Sequence, residues 1–313
     1  MKALVIHRYG DNSIAGIEDV PLPVPGPPEV LVKVRAASIN PVDWKVREGK
    51  AKIFTGRTFP KVLGVECAGT VEQAGDGTTR FRKGDPVVLF AGVRRLGTFA
   101  EYACSAEDTV YPITGAVPFD QAACLPIAGL TALQSLRDHG RIEAGMQVLV
   151  NGASGGVGHI AVQVAKVLGA EVTGVCSGAN AGFVQGLGAD RVIDYTREDF
   201  TLGSVRYDLI FDAVSMRSFG ECKRVLSPRG VYVSTLPDRT LIAQLVTSFL
   251  PGKKARTMWV KPRAEDMTWM MDQLAAGKIT VAIERSYPFG EVAAAFARSE
   301  SGHARGKIVV AFG

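Results

Sequence analysis

The segment that most constrains this chain is Val148-Leu149-Val150-Asn151-Gly152-Ala153-Ser154-Gly155-Gly156-Val157-Gly158. An apolar strand pattern runs into a glycine cluster, and an amphipathic helix pattern, Val157 to Leu168, comes directly after it. Glycine leaves room for backbone to approach a ligand where a side chain would stand in the way. The helix N-terminus adds unpaired N–H groups and a dipole that favours an anion. The spacing is GxxGxxG rather than GxGxxG, and no Gly-Lys-Ser/Thr comes after it, which excludes a Walker-type loop. Behind the turn, strand patterns at Glu171–Cys176, Arg191–Asp194, Asp208–Ala213 and Gly230–Thr235 alternate with helix patterns at Ala181–Leu187 and Phe219–Val225. Such alternation implies an α/β, doubly wound parallel sheet of the Rossmann type. Gly152, Ser154, Gly155, Gly156, Val157 and Gly158 are therefore candidate contacts to a dinucleotide pyrophosphate.

The first third reads differently. Met1–Ile6, Glu29–Ala36, Gly64–Ala74, Pro86–Phe90 and Thr98–Ala103 are short strand patterns punctuated by Gly and Pro, which suggests a barrel-like β domain. Helix patterns at Phe119–Ala128 and Leu130–Asp138 mark the change near Pro118; Glu265–Ala276 and Glu291–Arg298 are later helices, and Lys307–Ala311 is a closing strand. A chain of 313 residues suits two domains. The expected division is 1–118 with 283–313, and 119–282.

Composition narrows the partners. Net charge is +5, with no long basic stripe of the kind that marks nucleic-acid binding. No apolar run approaches the ~20 residues of a membrane span, and the start, Met1 to Gly10, is too short in apolar residues for a signal peptide. The five cysteines, Cys67, Cys104, Cys124, Cys176 and Cys222, lie far apart in apolar segments and read as reduced thiols. A cytoplasmic location is expected.

A site for NAD places Asp or Glu at the end of the second strand of such a sheet, where it binds the ribose hydroxyls. Here that strand ends in Val175-Cys176-Ser177-Gly178-Ala179-Asn180, without a carboxylate. An uncharged loop with a hydroxyl and an amide tolerates the 2′-phosphate of NADPH, so NADPH is the expected cofactor, with Ser177 and Asn180 among its contacts.

These residues resemble the zinc-free, quinone-oxidoreductase-like branch of the medium-chain dehydrogenase/reductase superfamily. The resemblance covers essentially the whole chain. It is carried by Ser38-Ile39-Asn40-Pro41-Val42-Asp43, Gly64-Val65-Glu66-Cys67-Ala68-Gly69, Ala128-Gly129-Leu130-Thr131-Ala132, the glycine turn, Val192-Ile193-Asp194-Tyr195, and Gly302 to Val309. It implies an N-terminal GroES-like β-barrel domain plus a Rossmann domain. By the same resemblance, Asn40, Asp43 and Thr131 border the nicotinamide, and Tyr195 touches the adenosine 2′-phosphate. Asn40 has a second reading, as a residue that holds a turn before Pro41; Asp43 has one as the cap of a helix starting near Trp44. Lys is frequent in relatives where this chain has Ala179. Zinc-dependent relatives carry histidine where Val65 stands, and Val65 cannot coordinate, so no metal site is expected. A homodimer is usual for the family.

The implied activity is zinc-independent hydride transfer from NADPH to a small-molecule quinone or α,β-unsaturated carbonyl compound. Negative charge would develop on the carbonyl oxygen, where the Asn40 amide, the Thr131 hydroxyl or backbone N–H groups are candidate donors. The segments Trp44 to Phe59 and Asp238 to Trp259 are expected to set the substrate. Two alternatives remain open: an enoyl-thioester reductase, and an NADPH-binding sensor or structural protein with little turnover.

Overall fold

The structure, a computed structural model, describes residues 1–236 and 238–313, with Asp238 and Arg239 described by backbone alone. The chain divides into two compact units. The first comprises residues 1–127, 262–275 and 282–313; the second comprises residues 128–261 and 276–281. Relative to the expected division, residues 119–127 and the helix Ala264–Ala275 lie in the first unit.

The first unit is built on a seven-stranded sheet. Its spatial order is Ile283–Pro288, Lys307–Ala311, Glu29–Ile39, Glu66–Ala74, Pro86–Phe90 and Val110–Pro112, with Tyr102–Ala106 also paired to Glu29–Ile39. A smaller sheet joins Ala15–Asp19, Lys2–Ile6 and Lys61–Val62. Val30, Val32 and Val34, at alternate positions of the long strand, pack with Val65, Leu89 and Phe99 in one core. Two registers of this sheet gather polar residues from distant parts of the chain. Ile308 lies opposite Ile39, which brings Lys307 beside Asn40. Ala37 lies opposite Cys67, which brings Glu66 abreast of Ser38.

The second unit holds a six-stranded, wholly parallel sheet. Its spatial order is Arg191–Asp194, Glu171–Cys176, Gln147–Asn151, Tyr207–Asp212, Leu226–Ser234 and Lys254–Thr257. The expected α/β class and parallel sheet are present. The order reverses between Gln147–Asn151 and Tyr207–Asp212, and in open parallel sheets ligands bind beyond the strand ends at such a switch point.

Several elements depart from the sequence patterns. The strand expected at Thr98–Ala103 is Tyr102–Ala106, shifted along the chain. The helices expected at Phe119–Ala128 and Leu130–Asp138 are broken by π-helical turns at Leu125–Gly129 and Ser135–His139. Within Asp238 to Trp259 lie a helix, Asp238–Phe249, and a strand, Lys254–Thr257. That strand falls on a cationic run that reads as a loop; its Lys254 and Arg256 are half-buried while Ala255 and Thr257 are buried, a pattern that an edge strand tolerates. The five cysteines form no disulfide, and all but Cys104 are buried. No helix of the described residues is long and apolar enough to cross a membrane.

Candidate active site

In the second unit the glycine turn sits at the switch point. Asn151 Nδ2 donates to Asp212 Oδ1 at 2.9 Å, tying together the ends of the two central strands. Asp212 is fully buried, and its carboxylate also accepts the N–H groups of Ser215 and Arg217, each at 2.9 Å, so it shapes the loop after the strand.

Three glycines of the turn differ in why they are there. Gly152 has φ +79°, and a Cβ on it would lie 2.5 Å from Val214. A Cβ on Gly158 would come within 2.0 Å of the Gly152 carbonyl oxygen, so only glycine lets the helix Gly158–Val167 dock this close. At Gly155 the only protein atom a Cβ would meet, among the described residues, is the Gly152 carbonyl oxygen at 3.4 Å, an ordinary contact. The fold itself does not require glycine there; the space is free for a ligand.

Among the described residues, the N–H groups of Gly156, Val157 and Gly158 have no backbone acceptor. They stand at the N-terminus of a helix beside the opening at Gly155, which is the donor set that a pyrophosphate fits. His159 completes the arrangement. On the sequence it reads as solvent-facing; the structure buries it completely, with Nδ1 2.9 Å from the Gly155 carbonyl oxygen. Since a carbonyl only accepts, Nδ1 carries the proton, and the ring holds that carbonyl on its own side. No triad pattern surrounds His159, which is why sequence reasoning passed over it; its spacing of four from Gly155 is the signal that was available.

At the end of the second strand, Asn180 Nδ2 lies 3.3 Å from Ser154 Oγ and 3.2 Å from Ser177 Oγ. The structure thus brings three of the candidate residues into one polar group. Tyr195 is exposed nearby in the chain, its N–H donated to the Cys176 carbonyl. One carboxylate does reach this loop: a Cβ on Gly178 would stand 2.5 Å from Asp194 Oδ2. Asp194 is held ionised, its pKa below the usual carboxylate value, chiefly by the Thr196 N–H and hydroxyl. Arg197, largely exposed, lies 3.9 Å from the same carboxylate.

The first unit contains a second cluster, whose side chains are buried. Asn40 Nδ2 donates to Glu66 Oε1 at 2.6 Å, and Lys307 Nζ donates to Asn40 Oδ1 at 2.6 Å. Lys307 and Glu66 form an ion pair at 3.6 Å. Ser38 Oγ also donates to Glu66 Oε1, and the Ile127 N–H donates to Oε2 at 2.6 Å. The Asn40 amide, expected as a donor to a substrate oxygen, therefore has its N–H on Glu66 and its oxygen on Lys307. The nearby helix begins at Pro41 rather than near Trp44, with proline in the first turn, where its missing N–H is harmless. Asp43 Oδ2 accepts the Asn40 N–H at 2.8 Å, and the Asn40 carbonyl accepts the Asp43 N–H at 2.9 Å.

Burial pushes the Asp43 carboxyl up to about 8; the Glu66 charge adds to the shift, while the Asn40 N–H and Lys307 oppose it. Thr131 belongs to the second unit, buried on the short helix Leu130–Gln134 that the π-helical turns bracket. Glu66 and Lys307 carry no role in the sequence reading. Their signal was a charge beside apolar neighbours: Lys307 opens the otherwise apolar strand Lys307–Ala311, and Glu66 stands between Leu63-Gly64-Val65 and Cys67-Ala68-Gly69.

Residues 26–115 match the family described as alcohol dehydrogenase GroES-like domain, and residues 187–310 match that described as zinc-binding dehydrogenase. A chloroplast envelope quinone oxidoreductase homolog of Arabidopsis thaliana is 36% identical over 99% of this chain and 98% of its own length. The chain belongs to the medium-chain dehydrogenase/reductase superfamily. Quinone-oxidoreductase relatives match it along essentially its whole length. The solved quinone oxidoreductase from Coxiella burnetii superposes with a TM-score of 0.90 at 31% identity, covering 99% of both chains. An NADPH-dependent alkenal/one oxidoreductase of Arabidopsis thaliana, chloroplastic, is 33% identical over 99% of this chain and 79% of its own length. The protein is thus an oxidoreductase of a nicotinamide-dependent family. Among the described residues no three His, Cys, Asp or Glu side chains are placed to hold a metal ion.

The opening at Gly155 and the proton on Asp43 can each be tested. Gly155→Val should abolish nicotinamide-dinucleotide binding with little change in melting temperature, because the side chain fills ligand space and not protein. Unchanged affinity by titration calorimetry would show that the pyrophosphate lies elsewhere. The raised pKa of Asp43 means that the folded state holds a proton which the unfolded state, with a pKa near ~3.9, has released. The stabilisation is fully present below about pH 4 and is lost as pH rises through about 8. Denaturant midpoints should therefore fall across that window in the unsubstituted protein and stay flatter in Asp43→Asn; parallel curves would contradict a proton on Asp43.

Proposed function

We propose that the chain reduces quinones or α,β-unsaturated carbonyl compounds, with NADPH as the reductant and without zinc. The observation that carries the cofactor choice is the Ser154–Ser177–Asn180 group. It gathers two hydroxyls and an amide at the strand end where an NAD site presents a carboxylate. A 2′-phosphate can accept hydrogen bonds from all three. Asp194 is the carboxylate nearest the loop, and it is already engaged by Thr196. The exposed guanidinium of Arg197 places a positive charge at this rim, which Ala179 cannot.

When bound, the reduced nicotinamide supplies a hydride to an electron-poor carbon. The chain's residues would position and stabilise. The N–H groups of Gly156, Val157 and Gly158 would hold the pyrophosphate. The Thr131 hydroxyl, or a backbone N–H, would donate to the substrate oxygen as charge develops on it. Asn40 and Asp43 would act by fixing the strand-to-helix corner at residues 38–43 rather than by donating directly, since the Asn40 amide is committed at both ends. Solvent would supply the proton. The quinone and alkenal/one chemistry named for the relatives supports the substrate class, and Val65 together with the Lys307 ammonium beside Asn40 and Glu66 supports a site that works without a metal.

The ratio of kcat/KM for NADPH over NADH, with a quinone or enone as acceptor, tests this reading. NADPH should be favoured by about 1–3 kcal/mol, the scale of one or two hydrogen bonds to a charged group. Ala179→Lys should widen the gap, more so at low salt, and Ser177→Asp should invert it. Turnover should survive chelators. Preference for NADH in the unsubstituted protein, or loss of activity on chelation, would overturn the proposal.

A further inference from the structure

The helix Pro41–Arg47, which carries Asp43 into the buried cluster, ends in a way that gathers charge on one indole. Gly49 has φ +77° and reverses the chain. The Glu48 N–H donates to the Trp44 carbonyl, the Gly49 N–H to the Val46 carbonyl and the Lys50 N–H to the Lys45 carbonyl, each at 2.9 Å. Lys50 is thereby returned to the helix that the chain has just left. Its Nζ lies 5.6 Å from the centre of the Trp44 ring, and Lys45 Nζ lies 5.4 Å from the same centre.

Each cation is attracted to the ring, and the two repel each other. The other cations here have counter-charges. Arg47 is buried against Glu300 at 2.6 Å, and Lys50 pairs with Glu48 at 2.7 Å. Lys45 is half-buried, yet it has neither an ion pair nor a hydrogen bond from its ammonium among the described residues. Burial, and after it the Lys50 charge, hold Lys45 below the ordinary lysine value, with Glu48 opposing. A surface lysine normally keeps its charged head in water. This one has given up part of its water and gained a second cation, and a bound anion relieves both costs.

The surrounding segment adds to the field. Between residues 44 and 61, Glu48 is the only acidic residue, against Lys45, Arg47, Lys50, Lys52, Arg57 and Lys61. Lys52 and Arg57 are exposed and have no ion pair among the described residues. Charge of one sign at this density raises the local concentration of an anionic partner. The same segment exposes Ile53 at 85% and Phe54 at 45%, apolar surface for the body of such a partner. A lipid surface is engaged by the apolar face of an amphipathic helix several turns long, and the helix here, Lys52–Thr55, is a single turn. The partner that fits is a small amphiphile, an apolar body with one anionic end.

We propose that Lys45 and Lys50, held on the Trp44 indole, bind the anionic terminus, carboxylate or phosphate, of the compound that this chain reduces, so that its substrates are acidic enones or quinones. The inference rests on the reductase reading above; Lys45 stands two residues past Asp43 on the same helix. Three α,β-unsaturated methyl ketones that differ only at the far end of the chain test it: a carboxylic acid, its methyl ester and a phosphate monoester. At low salt, kcat/KM for the better of the two anions should exceed that for the ester by about tenfold, through KM, and the gap should narrow as salt rises. The favoured anion names the terminus. Lys45→Gln should bring that anion and the ester to within about twofold of each other, whereas Lys45→Arg should keep most of the gap. Equal kcat/KM for both anions and the ester in the unsubstituted protein would overturn the proposal. So would a Lys45→Gln protein whose KM for NADPH rises while the anion-to-ester ratio holds, because Lys45 would then serve the cofactor. If none of the three is reduced, the reductase reading fails, and binding still decides the anion site. The saturated acid and phosphate, titrated without nicotinamide and followed by tryptophan fluorescence, should include one that binds about tenfold more tightly than the saturated ester, an advantage lost in Lys45→Gln. Equal affinities, or an advantage that Lys45→Gln keeps, would overturn it.

Discussion

The approach of Gly158 to the Gly152 carbonyl sets the frame of the second unit. A side chain at 158 would collide with backbone, so the helix docks against the turn only because none is there. Once it is docked, Asn151 and Asp212 tie the two central strands together, and Asp212 in turn orders the loop up to Arg217. His159, one residue into the helix, takes the Gly155 carbonyl inward. What remains pointing away from the protein is a row of N–H groups beside an opening that the fold does not fill. A donor set suited to an anion at this end of the sheet is thus a consequence of packing: the same contacts that fix the helix leave its first N–H groups without a backbone acceptor among the described residues.

The first unit solves a different problem. Glu66, Lys307, Asn40, Ser38 and Asp43 are all buried. Removing a carboxylate and an ammonium from water is costly, and the pair is tolerated only where further hydrogen bonds satisfy both ions. Here Asn40 bridges them, Ser38 and the Ile127 N–H fill the remaining carboxylate positions, and Asp43 avoids adding a second buried negative charge by keeping its proton. The cluster is assembled by sheet register across long stretches of sequence, since residues 38–43, 66 and 307 meet only when three strands pair as they do.

Much of this was legible in the sequence wherever the controlling physics is local. The strands Gln147–Asn151, Glu171–Cys176 and Arg191–Asp194 and the glycine turn announce themselves through apolar runs and glycine spacing, and the structure keeps those bounds. The uncharged loop at Ser177–Asn180 was equally plain. What was hidden depends on partners distant in the chain. The pairing of Glu66 with Lys307 needs the closing strand to lie against residues 36–39. The Lys254–Thr257 strand was masked by its cations, which only an edge position makes acceptable. The inward-facing His159 was marked only by its spacing of four from Gly155, a weak signal because its partner is a backbone carbonyl that any residue provides. The Asp238–Phe249 helix was obscured because its apolar residues face outward.

The proposed reaction moves a hydride from NADPH to an electron-poor carbon. The most direct measurement is isotopic. NADPH carrying deuterium at the transferable position of the nicotinamide is supplied with an α,β-unsaturated ketone, and the product is examined by NMR and mass spectrometry. One deuterium is expected at the β-carbon and a solvent-derived proton at the α-carbon. Consumption of NADPH with no deuterium in the product would contradict hydride transfer, and deuterium at the carbonyl carbon would contradict reduction at the alkene.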